Sequence, residues 1–223
     1  MLLMSRRRIL EAGGAAAITS TIPTAQAQQA GDTLARLRAA GVAKVGIANQ
    51  APFSSLNPDG TMSGVAPSIA QRVLERLGIK RMEGAIASYG DLIPGMMAGR
   101  WDFVAASLTI TKERCAQVLY SDPLSFDGAC IVAIPEKNTL NPKTMADIVR
   151  IGVPVGAQQG GAQYRQLRTK GMSDDNIRQF TNDNAMFDAL MAGRVQYLWG
   201  SHQPMTEIID RKSTRLNSSH VAL

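Results

Sequence analysis

The chain has 223 residues, 45% of them hydrophobic and 19% charged, which supports a globular protein of one or two compact units. The formal charge of +6 is dispersed: residues 1–27 and 210–223 each carry a net +2, leaving +2 for everything between. That spread gives no argument for nucleic acid, which needs a clustered cationic face, and no nucleic-acid partner is expected.

Residues 1–27 have the layout of an export signal. Arg6, Arg7 and Arg8 precede a mildly apolar stretch rich in Ala and Gly, and Ala25-Gln-Ala27 forms a small-x-small cleavage site. Ser5-Arg-Arg-Arg-Ile-Leu10 looks like a twin-arginine export motif, with general secretory export as the alternative. No Cys lies near the cleavage site, so no lipid anchor is expected, and the mature protein belongs in the periplasm.

Asp32 is placed to cap a helix over Thr33–Ala40, which Gly41 ends. Val42–Ala48 is an apolar run and the first buried strand, followed by a loop to Leu56 that contains Gln50 and Phe53. Asn57-Pro-Asp-Gly60 is a turn. Pro67 opens a helix to Leu77 with Ile69, Val73, Leu74 and Leu77 expected on its buried face, and Gly78 stops it. Arg81–Ala87 is a strand and Tyr89–Ala98 a helix. Asp102 leads into a strand over Phe103–Ala106, expected at the centre of the sheet. Alternating β and α elements predict a mostly parallel sheet.

A polar loop, Ser107–Thr111, follows that strand, and a helix is expected over Lys112–Leu119 with Cys115, Val118 and Leu119 on its apolar side. Arg114 lies in its first turn. Hydroxyls and a guanidinium thus gather at the carboxyl end of a strand, where open α/β sheets place ligands. Arg114 is planar, permanently charged and suited to a carboxylate. A cation at a helix start opposes the helix dipole, a conflict that an anion relieves. The alternative is a surface pairing of Arg114 with Glu113 or Asp102.

Beyond Pro123 a second alternating unit begins. Its expected elements are a strand over Cys130–Ile134, a polar link to Pro142, a helix over Thr144–Val149 and a strand over Ile151–Pro154. A Gly/Gln-rich loop over Gly156–Gly161 then opens a helix over Ala162–Thr169. A strand ending at Phe180, a helix over Asn184–Ala192 and a strand over Val195–Trp199 complete the unit. Cys115 and Cys130 allow a disulfide, with a buried Cys115 thiol as the other reading. Two His residues and the lack of Cys-x-x-Cys, P-loop and Gly-x-Ser-x-Gly motifs give no support for a metal, a cofactor or a catalytic residue. Asp210–His220 lacks an apolar period and matches, residue for residue, the translation of a common sequencing-library adapter. Residues 210–223 are therefore expected to be a non-native tail on an open reading frame cut near Ile209.

Ser107-Leu-Thr-Ile-Thr111, Glu113-Arg114 and Tyr120-Ser-Asp-Pro123 together resemble the core motif of the extracellular solute-binding proteins, family 3. These are the periplasmic receptors of polar amino acid ABC importers. Asp59-Gly60, Gly64, Tyr89 to Gly95 and Ala98-Gly-Arg-Trp-Asp102 fall in the order the resemblance requires. It implies an α/β fold of the periplasmic binding protein type II kind, two α/β lobes around a ligand cleft. Lobe 1 would span residues 28–128 and an incomplete lobe 2 residues 129–209, with the first crossover near Phe126–Ala129 and the C-terminal part missing. The partners implied are a small zwitterionic ligand and a permease in the inner membrane, with the receptor a monomer.

The resemblance also assigns roles. Arg114 would clamp the ligand carboxylate, with Ser107 and Thr109 adding hydroxyl contacts. Gly160 and Gly161 would offer unpaired N–H groups at a helix start, and Ala162 stands where the family has a Ser or Thr. Phe53 and Tyr89 would lie over the ligand, worth about 0.5–2 kcal/mol against a cation. The wording also looks like the ectoine/hydroxyectoine-binding branch, from which it departs. Gln50 stands where that branch has an acid, and Thr109 where it has a third aromatic. Gln196 and Ser201 mark the far lobe's polar positions. The competing expectations are a lyase of the cyclohexadienyl dehydratase type on the same fold, which needs a general acid in the cleft, and the sensor module of a membrane kinase.

Overall fold

A computed structural model describes residues 25–216 of the chain, and side chains over 33–212. The export-signal reading of residues 1–24 and the end of the C-terminal tail lie outside the described residues. The chain divides into a unit of residues 1–36 and a unit of residues 37–223. Helix α1 is Ala25–Ala40, longer than the expected Thr33–Ala40, so Asp32 lies within it rather than capping it. Everything below concerns the second unit.

Its first sheet is parallel, in the order β4-β1-β5, from β1 (Val42–Ile47), β4 (Arg81–Ile86) and β5 (Phe103–Val104). The strand expected at the centre, β5, is two residues long and at the edge. The largely buried Val42–Ile47 run takes the middle because it can pair on both sides. The Asn57-Pro-Asp-Gly60 turn joins β2 (Ser55–Leu56) to β3 (Met62–Ser63), a small hairpin that includes the end of the loop expected up to Leu56.

Helix α2 (Val65–Arg76) covers one side of this sheet and α3 (Leu92–Met97) the other. Ala66, Ala70 and Leu74 repeat every four residues and form the docking face of α2. Two alanines on that face allow close approach to the sheet. The expected face is therefore rotated: Ile69 and Val73 are exposed. Trp101 is buried between β1 and α3, and its Nε1 donates to Leu92 O at 2.9 Å. Gly46 and Gly95 make its space, since a Cβ on either would overlap the indole.

The chain crosses to a second sheet through residues 121–128. That sheet has the order β6-β9-β7-β8, from β6 (Ala129–Val132), β7 (Val155–Gln158), β8 (Ile177–Phe180) and β9 (Tyr197–Ser201). β7 runs parallel to β8 and β9, and β6 antiparallel to β9. Helices α5 (Met145–Ile151) and α6 (Ala162–Thr169) pack on one face. Helices α7 (Asp183–Met191) and α8 (His202–Leu216) pack on the other.

The helix boundaries have local causes. Thr144 and Asp147 form a capping box at the start of α5, and Gly152 in the left-handed conformation ends it. The helix therefore consumes Ile151, and the strand expected over Ile151–Pro154 begins at Val155 instead. Gly156 is in a buried strand rather than a loop, and it is a glycine there because a Cβ would overlap the Leu198 side chain. α6 has the expected bounds, and Asn182 caps α7 by accepting from Ala185 N at 2.9 Å. Residues 210–216, expected to be a tail without domain character, continue α8, where Lys212 pairs with Asp188 and lies over the Phe187 ring.

Candidate ligand-binding cleft

In each sheet one inner strand, β1 or β7, has a parallel partner on each side that enters from a different crossover. Such switch points open a crevice at the carboxyl ends of the strands. In the first sheet those ends lead to Gln50 and Phe53 after β1, Tyr89 after β4 and Ser107 after β5. In the second they lead to Gln158 and Gly160 at β7, Asp183 after β8 and Ser201 at the end of β9. A cavity of about 800 Å³ is lined from both sheets, by Gln50, Phe53, Tyr89, Ser107, Thr109 and Arg114 on one side and Gln158, Gly161, Ala162 and Ser201 on the other.

Arg114 belongs to α4 (Lys112–Cys115), a single turn whose N-cap, Thr111, accepts from Arg114 N. One turn cannot carry the extended apolar face expected over Lys112–Leu119. Cys115 and Leu119 are exposed instead, Leu119 at 99%, and the buried member is Arg114 at 2%. The expected buried thiol at Cys115 is thus corrected, and Cys115 and Cys130 are both free. The Arg114 guanidinium donates from Nη1 to Thr109 O at 2.9 Å and from Nη2 to Gly160 O at 3.1 Å. Its surface pairing with Glu113 or Asp102 does not form. Burial lowers its pKa, yet an arginine stays charged.

Around it, Ser107 has a φ of 47°, and its buried Oγ has no hydrogen-bond partner. Thr109 is exposed, and its carbonyl serves Arg114 and the Tyr120 hydroxyl. Gly160 has a φ of 66° and packs on Gly90 so closely that a Cβ would overlap the Gly90 backbone. The expectation of an unpaired N–H at Gly161 does not hold, because that group donates to Gln158 O at 3.0 Å. Gln196 is exposed and does not line the cavity, whereas Ser201 does and accepts from Gln163 Nε2 at 2.9 Å.

Phe53 and Tyr89 are both buried. The Tyr89 hydroxyl donates to Gln50 Oε1 at 2.6 Å and lies 3.1 Å from Ala106 O. Gln50 Nε2 donates across the cleft to Asp183 Oδ2 at 2.6 Å and to Gln158 Oε1 at 3.1 Å. Asp183 and Gln158 were missed in the sequence. Asp183 stands just before the helix expected over Asn184–Ala192 and Gln158 within the expected Gly/Gln-rich loop, so neither carries a local signal of function. Burial pushes the Asp183 carboxyl up to about 6, against the hydrogen bond from Gln50. Tyr89 is raised by burial and by the Asp183 charge and lowered by Arg114. Among the described residues no group of side chains could hold a metal ion, and no helix is long and apolar enough to cross a membrane.

The geometry has close relatives. The family model for bacterial extracellular solute-binding proteins, family 3, matches residues 43–213. A probable amino-acid ABC transporter periplasmic-binding protein of Sinorhizobium fredii is 34% identical over 84% of this chain and 63% of its own length. The lysine/arginine/ornithine-binding periplasmic protein of Escherichia coli is 25% identical over 65% of this chain and 54% of its own. The chain thus spans 54% to 63% of the length of these relatives. Among solved structures, EhuB in complex with hydroxyectoine superposes with a TM-score of 0.78 at 29% identity, covering 85% of this chain and 72% of that one. An ancestral arginine-binding protein bound to arginine gives 0.70 at 26% identity, covering 82% and 77%. The fold is the two-lobed α/β arrangement of type II periplasmic binding proteins, and the chain belongs to the bacterial extracellular solute-binding proteins, family 3.

Proposed function

We propose that this protein is the substrate-binding receptor of an ABC importer, holding the carboxylate of a polar amino acid or an ectoine-like zwitterion with Arg114. The observation that carries the reading is a permanent cation, 2% exposed, lining the cavity between the two sheets. Its two hydrogen bonds go to main-chain carbonyls, fewer than half of a guanidinium's N–H donors, and no described carboxylate is ion-paired with it. A buried charge so weakly compensated favours an incoming anion. The unpartnered Ser107 hydroxyl beside it is a second group awaiting a ligand atom.

The first sheet with residues 28–128 forms one lobe and the second sheet with residues 129–209 the other. Ligand bridges them and shifts the population toward the closed state, and the receptor works as a monomer in the periplasm with an inner-membrane permease. Calorimetry with hydroxyectoine, L-arginine, L-lysine, L-histidine and L-glutamine tests this. At least one should bind, and Arg114→Ala should weaken it on the order of 100-fold, the usual cost of removing one member of a buried charge pair. Equal affinity in the variant would refute the assignment.

One observation favours a second reading. Asp183 is a carboxyl held near pH 6 close to the cleft, which a lyase would use as a general acid. One neighbour of known structure is an ancestral amino acid-binding protein, a precursor of cyclohexadienyl dehydratase, at 26% identity and a TM-score of 0.68. Against it, Gln50 stands between Asp183 and the cavity. Turnover of prephenate or arogenate would reverse the order of the two readings.

A further inference from the structure

Arg114 has a counterpart of opposite sign. Asp183 is 6% exposed, and the one hydrogen bond its carboxylate accepts among those described comes from a neutral amide, Gln50 Nε2. A buried carboxylate served by one amide is undercompensated in the same sense as the guanidinium. The acidity of the Tyr89 hydroxyl responds to both charges.

Asp183 also decides how Gln50 presents itself. A carboxylate only accepts, so the Gln50 amide must turn its NH2 toward Asp183 and Gln158. Its Oε1 is then left on the Tyr89 side, where it accepts one hydrogen bond and keeps a lone pair. Gln50 and Gln158 both line the cavity, with Asp183 directly behind them. Each amide oxygen accepts one hydrogen bond and keeps a lone pair, and an unneutralised negative charge stands one hydrogen bond away. That arrangement suits a cationic N–H group and repels a carboxylate.

We propose that Asp183 selects the positively charged group of the ligand, acting through the Gln50 amide that it orients and the Gln158 amide bonded to Gln50. The proposal rests on the receptor reading above. It makes Asp183 a positioning and specificity-determining residue that ligand need not touch. It also accounts for Gln50 at a place where a carboxylate was expected: the negative charge has moved to the far lobe, one hydrogen bond away.

The titratable groups that sense Asp183 are the Tyr89 phenol, from the segment after β4, and the Cys130 thiol on β6. Burial raises both, Cys130 to about 12, so each stays neutral at and below pH 8. On α7 and α8 the Asp188–Lys212 pair is at the surface. Asp183 is then the member of this group that changes charge near pH 6.

The test is calorimetric titration of the wild type and Asp183→Asn with L-glutamine and hydroxyectoine between pH 5 and pH 8, and with glutaramate, which is glutamine without its α-amine. Wild-type affinity for a zwitterion should fall about tenfold from pH 7 to pH 5 as the carboxyl protonates. Asp183→Asn should bind about tenfold more weakly at pH 7, show no such fall, and lose the preference for glutamine over glutaramate. A variant as tight as wild type with the same pH profile overturns the proposal. So does one that weakens glutamine and glutaramate equally, which marks a structural role. If the variant does not fold, the wild-type profile decides, a flat curve being fatal. Wild-type protein that binds none of the zwitterions refutes the receptor reading as well.

Discussion

Replacing Asp183 with asparagine should change stability in a way that depends on pH and nothing else in the chain. The folded carboxyl is raised from 3.8 to about 6, chiefly by burial. A shift of that size corresponds to about 3 kcal/mol, at about 1.4 kcal/mol per unit. The sign follows from proton linkage. Between the two pKa values the folded state binds more protons than the unfolded one, so stability falls as pH rises through that window. The penalty is absent below pH 4 and complete above pH 6. Asp183→Asn removes it, and the weaker hydrogen bond with Gln50 is already counted in that shift, because the Gln50 amide holds the folded carboxyl down against burial. The net gain at pH 7 is therefore about 3 kcal/mol, whereas at pH 4 the isosteric amide gains nothing. Urea unfolding of both proteins at pH 4, 5, 6 and 7, without ligand, measures it, and the other carboxylates cancel in the difference. Stability curves that run parallel across this range would refute the account of Asp183 as a buried, undercompensated anion.

Two further outcomes follow from the cleft and its surroundings. Gly160→Ala should lower zwitterion affinity more than tenfold, because a Cβ there overlaps the Gly90 backbone and the residue is held at a φ of 66°. It should also cost about 1 kcal/mol of stability through left-handed strain, and unchanged calorimetric affinity would show that the two glycines need not meet. Cys115, exposed, should react with a disulfide reagent at pH 8 within seconds, while Cys130, with its thiol pushed up to about 12, should react only on unfolding. Simultaneous labelling of both would contradict the partial burial of the Cys130 thiol.

Much of this molecule is readable along the chain. Helix α6 has the bounds expected from its glycine start and the period of its apolar residues. Gly41, Gly78, Gly99 and Gly193 all adopt positive φ at the ends of helices, where only a residue without a Cβ is unstrained. Strands β1 and β4 are apolar or alternating runs between such stops. Arg114 stood out because its charge was wrong for its position at a helix start. These are local signals, set within one or two turns of chain.

What the sequence alone decided, then, is the succession of β and α elements and the presence of a cation at the carboxyl end of a strand, since both depend on neighbours a few residues away. What only the tertiary structure decided is which strand lies in the middle of a sheet, which face of α2 docks, and what stands opposite Gln50. Gln158 and Asp183 are 108 and 133 positions from Gln50 along the chain, and nothing in the wording near either one reveals the other. A buried charge is recognisable from sequence by its chemistry. Its partner is chosen by the packing of two sheets, which brings distant loops to within the length of a hydrogen bond.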